Sequence, residues 1–141
     1  MKDHIRDYAT AAFRFYARWQ GKDNYIRCLV DDLQRQKGSG LISPTEAAVI
    51  HKEQVIETYK AEIADLEAVE GVIKICERHY TDVLRTVKMI YFVAPDKTLK
   101  WGDIVNRVHD AELTIPASDR QIYRWLKQAR TLFAEERGLR L

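Results

Sequence analysis

Cysteine is scarce in this chain of 141 residues: Cys28 and Cys76 stand far apart with no CxxC pairing. That spacing argues against a disulfide framework or a zinc cluster, and a reducing compartment, the cytoplasm, is the expected setting. Three prolines and six glycines leave little sequence from which to build long disordered linkers. No apolar run approaches the ~20 residues of a membrane span. The N-terminal MKDHIRDYATAAFRFYARW breaks its apolar residues with charges every few positions, so no secretory core is expected there. Strand-like alternation is missing throughout, which makes the expected fold all-α. Net charge is also small, +2, but it is unevenly spread. Residues 1–37 carry 8 Lys/Arg against 5 Asp/Glu, residues 38–96 carry 6 against 10, and residues 97–141 carry 9 against 6. Basic ends flanking an acidic middle suit contact with nucleic acid at an end and self-association or partner binding in the middle.

What is present is helical patterning, and it is sharpest over residues 118–132, SDRQIYRWLKQARTL. Wound at about 100° per residue, Ile122, Leu126, Ala129 and Phe133 stack on one side, with Trp125 and Leu132 widening the stripe. Arg120, Arg124 and Lys127 fall on the opposite side, with Tyr123 and Arg130 at its margin. One face therefore requires a core and the other attracts an anion. Ser118 as N-cap with Gln121 three residues on forms a capping-box pattern, Pro116 discourages an earlier start, and Gly138 supplies a stop.

Elsewhere, residues 3–20 place Ile5, Tyr8, Ala9, Ala12, Phe13, Tyr16 and Trp19 on one stripe ended by Gly21. Arg14 and Arg18 alternate with aromatics there, and the favoured reading is aromatics in the core with arginines in water. A second helix is predicted over 23–36, followed by the flexible Lys37-Gly-Ser-Gly. Ser43-Pro44-Thr45-Glu46 is a strong helix start. In the long helix predicted after it, Ile56, Tyr59, Ile63 and Leu66 have the three-four spacing of a seam. That stripe fits a homodimer through the helix over 43–66 or a hairpin inside one chain. A further helix is predicted over 72–93, ended by Pro95, and a short one over 101–108 carrying Trp101, Ile104, Val105 and Val108. Helical hairpins or long helices thus precede a C-terminal helix pair.

The last seventy residues, through MIYFVAP, KTLKWGDIVNRV and IPASDRQIYRWLKQARTLFAEERGL, resemble the sigma-70 region 4 helix-turn-helix that reads the promoter −35 element. They are more similar still to phage late-transcription regulators of the ArpU and RinA type. Tyr91, Trp101, Ile104, Val105, Ser118, Arg120, Ile122, Arg124, Trp125 and Ala129 sit at matching places. Two departures stand out: Gly102 replaces a helix-favouring acidic residue, and the connection from Val108 to Ser118 is longer than the usual three or four residues. The resemblance implies a phage-encoded transcription regulator with a helical oligomerisation or partner-binding region over 1–70 and a DNA-binding domain over 71–141. Its partners would be double-stranded DNA and RNA polymerase. Arg120 and Arg124 would read guanine and Gln121 adenine in the major groove, while Ser118, Tyr123, Lys127 and Arg130 would meet phosphates.

An enzyme is not expected. His4, His51, His79 and His109 show no HExxH-like grouping, the pairs Glu53/Glu57 and Glu67/Glu70 read as solvated helix faces, and no phosphate-binding glycine loop occurs. No metal or cofactor is therefore expected. Two other functions share the layout: a DNA-packaging component such as a small terminase subunit, and a protein-binding helical adaptor.

Overall fold

The computed structural model describes residues 4–37, 44–92 and 118–139, and every element among them is an α-helix. Helix α1 (His4–Trp19) buries Ala9, Ala12 and Phe13, the inner edge of the stripe read from the sequence. It stops where Gln20 and Gly21 both take positive φ, 59° and 118°. The Asn24 side-chain amide donates to the Trp19 carbonyl at 2.7 Å, satisfying one acceptor left open at that end.

Helix α2 (Lys22–Lys37) follows at once. Its first amide is capped from afar, since Lys22 N donates to Glu70 Oε1 at 3.0 Å. Helix α3 (Pro44–Thr58) begins at the expected proline and packs along α2, burying Ala47, His51 and Val55 at four-residue spacing.

The long helix predicted from Ser43 onward is broken at Tyr59, where φ and ψ are −108° and 28°, and resumes as α4 (Lys60–His79). The Tyr59 ring meets Tyr25 edge-on, 6.2 Å between centroids. Ile63 and Leu66 are buried within the chain beside Tyr25, Trp19 and Phe15, while Ile56 stays exposed. Helix α4 then runs unbroken through Gly71. A second break, absent from the sequence reading of 72–93, falls at Tyr80 with φ −139° and ψ 60°, and α5 (Thr81–Ile90) turns its apolar face back onto the core.

The last described helix, α6 (Asp119–Arg137), lies against α1, α4 and α5. One core joins Ala9, Ala12 and Phe13 of α1 to Val69, Val72 and Cys76 of α4, to Val83 and Val87 of α5, and to Ile122, Leu126, Ala129 and Phe133 of α6. The division expected between residues 70 and 71 therefore falls inside α4, and α1 and α6 share one core across it. The helix predicted over 101–108 and the connection 109–117 lie outside the described residues. Among the described residues no helix is long and apolar enough to cross a membrane.

Candidate nucleic-acid interface

Helix α6 is well delimited at both ends. Ser118 is extended (φ −71°, ψ 161°) and its Oγ accepts from Gln121 N at 3.3 Å, the first half of a capping box. At the other end Gly138 takes φ 78° and donates to Glu135 O at 3.2 Å, while Leu139 N donates to Ala134 O at 2.8 Å. These two bonds make a Schellman motif, and Leu139 packs onto the core as such motifs favour.

The two faces separate as the periodicity requires. Ile122, Leu126, Ala129 and Phe133 are each 0 % exposed, and Trp125 and Leu132 pack partly buried beside them. Phe133 meets the rings of Tyr8 and Phe13 at centroid distances of 5.7 and 5.8 Å. Across the helix Arg120, Tyr123, Arg124 and Lys127 are exposed, as is Ser118 at its start, and Gln121 is half-buried. Among the described residues no carboxylate pairs with Arg120, Arg124 or Lys127. Three cations elsewhere are matched: Lys22 with Glu67 at 3.3 Å, Arg35 with Asp32 at 3.0 Å, and Arg137 with Asp65 at 2.8 Å.

Arg130 has a different placement. It is half-buried, and its Nη1 donates to the Tyr91 hydroxyl oxygen at 3.2 Å. Tyr91 in turn is 1 % exposed and stacks on Phe13 with ring planes 2° apart. Arg130 is thus a joint between α6 and the end of α5 as well as a margin of the basic face. Sequence reading passed over two outward cations on α5, Arg85 and Lys88, because their steps of three toward Tyr91 have meaning only once α5 lies against α6.

Of the histidines, His51 is buried in the packing of α3, its Nδ1 without a partner among the described residues, and His4 and His79 are exposed. His109 lies outside the described residues. The carboxylates Glu67 and Glu70 serve Lys22 and the start of α2. Among the described residues no cluster of His, Cys, Asp or Glu has the grouping to hold a metal ion. Burial pushes the Cys76 thiol above its ordinary pKa, as suits a core residue rather than a nucleophile.

No protein-family model matches the chain, and neither a curated protein nor a solved structure matches it.

Proposed function

We propose that the protein is a sequence-specific, double-stranded-DNA-binding transcription regulator that lays the N-terminal half of α6 in the major groove. The observation that carries this reading is the division of α6: a fully buried apolar stripe fixes the helix rotationally, and Arg120, Arg124 and Lys127 stand together on its outer side. A helix held in this way presents its cations on one side of a backbone that is already ordered, so no further backbone ordering is needed on binding. Arg120 and Arg124 are assigned to guanine O6 and N7, and Gln121 to adenine, its backbone amide rather than its side chain being used in the cap. Tyr123, Lys127, Ser118 and the first-turn amides are assigned to phosphates. Arg130, tied to Tyr91, borders this surface and fixes its angle to α5. The helix-turn-helix partner over 101–108, the phage origin and a contact with RNA polymerase belong to this proposal through the resemblance alone.

Selection of bound duplex from a random pool at physiological salt tests it. Enrichment of a short motif is expected. A pool that stays random, with equal affinity for every duplex, would overturn the regulator reading.

A further inference from the structure

We infer that the duplex-contacting surface continues from α6 onto α5, where Arg85 and Lys88 grip the phosphate backbone beside the groove that α6 enters. This rests on the DNA-binding reading of α6. Two rows of side chains carry it, each with a spacing of three residues. On α6 the row is Arg124, Lys127, Arg130; on α5 it is Arg85, Lys88, Tyr91. Residues three apart on a helix are surface neighbours, about 5–6 Å between Cβ atoms. The rows meet at their ends, because Arg130 donates to the Tyr91 hydroxyl at 3.2 Å. Lys88 and Lys127 are therefore each one step from the same joint, on two different helices.

The joint is rigid where it matters. Tyr91 is buried and stacked on Phe13, with ring centroids 5.3 Å apart, and Val83, Val87 and Ile90 anchor the opposite face of α5. Arg85, Lys88, Arg124 and Lys127 are all exposed, and among the described residues none is paired with a carboxylate. Exposed cations without a carboxylate partner attract a polyanion. DNA, with one negative charge per ~1.7 Å of helix axis, supplies phosphates closely enough to engage both rows at once. Contacts of this kind position the protein without reading sequence, so α5 sets affinity and register while α6 sets specificity.

The test is fluorescence anisotropy of the full chain with a mixed-sequence duplex, titrated at several salt concentrations. Wild type is compared with the double variant Arg85→Ala/Lys88→Ala and with Lys52→Ala, which removes an exposed cation from α3. The double variant is expected to bind roughly tenfold more weakly at low salt. Its slope of log affinity against log salt should be shallower by about 1.8, two phosphate contacts' worth, with Lys52→Ala close to wild type. If wild type binds and the double variant matches Lys52→Ala, the α5 surface is refuted and the α6 reading stands. If wild type fails to bind duplex, or binds poly-glutamate with the same affinity, both fall. Lys88→Glu guards against compensation, since charge reversal beside a phosphate must weaken binding further than Lys88→Ala.

Discussion

Arg137 Nε donates to Asp65 Oδ1 at 2.8 Å, tying the last turn of α6 to the middle of α4. The same carboxylate oxygen accepts from the Tyr8 hydroxyl, so α1 joins the contact. Both ion-pair side chains are only about a quarter exposed, at 27 % and 21 %, which shields the pair from much of the screening that weakens surface bridges. Asp65→Ala should cost about 1–2 kcal/mol, because it leaves two donors without their acceptor. Chemical denaturation of Asp65→Ala, Arg137→Ala and the double variant measures the coupling. Strictly additive losses would show that the contact contributes nothing.

Alkaline pH should destabilise the fold. The hydroxyls of Tyr8, Tyr16 and Tyr25 all have pKa values raised above 10.0. Burial is the first cause in each, and Asp65, Glu70 and Glu62 respectively add to it. The folded state thus holds these protons more tightly than the unfolded chain. Their contribution is complete below pH 10.0 and is lost as pH rises from there through the folded values. Denaturation midpoints between pH 9 and pH 11 should fall, and Tyr16→Phe should lessen the fall; a slope unchanged in that variant would exclude Tyr16 as a contributor.

Gly71 offers a substitution whose sign is instructive. A Cβ built there lies 2.6 Å from Glu136 Oε2, so something must move, but that atom is the tip of a flexible chain. Glycine inside a helix costs about 1 kcal/mol relative to alanine. Gly71→Ala should therefore leave the protein as stable as before or more so, by up to about 1 kcal/mol, read by thermal melting. A large loss would mean that α6 crosses α4 too closely at this point for Glu136 to swing aside.

The two faces of α6 should separate stability from binding. Leu126 is wholly buried, and Leu126→Ala should cost about 2–5 kcal/mol of stability. Arg124→Ala removes an exposed side chain and should change stability by less than about 0.5 kcal/mol. On the proposed function it should nevertheless weaken binding to the selected duplex by about 1–3 kcal/mol. Melting curves and anisotropy on the same samples distinguish the two.

Helix α1 and helix α6 were legible because each pairs an apolar stripe with a local stop, Gly21 and Gly138, and both stops take positive φ. The breaks were not. Tyr59 and Tyr80 carry no helix-breaking chemistry, and Gly71, which does, sits in an unbroken helix with Glu136 over it. At Tyr59 the ring meets Tyr25, a residue remote in sequence, so no local pattern announces that contact. Glu70 shows the same limit: read locally it belongs to a solvated helix face, but in space it caps α2 through Lys22. Within the candidate site, exposure of Arg120, Arg124 and Lys127 followed from helical angle alone, whereas the bond of Arg130 to Tyr91 spans thirty-nine positions and needed the packed structure.

The most direct measurement is an amide chemical-shift titration of the isotope-labelled chain with the selected duplex. Amides of residues 118–127 on α6 and 85–88 on α5 should move together and saturate at one affinity, with α2 and α3 nearly still. Movement concentrated in α2 and α3, or none at any duplex concentration, would contradict a DNA interface on the outer face of α6.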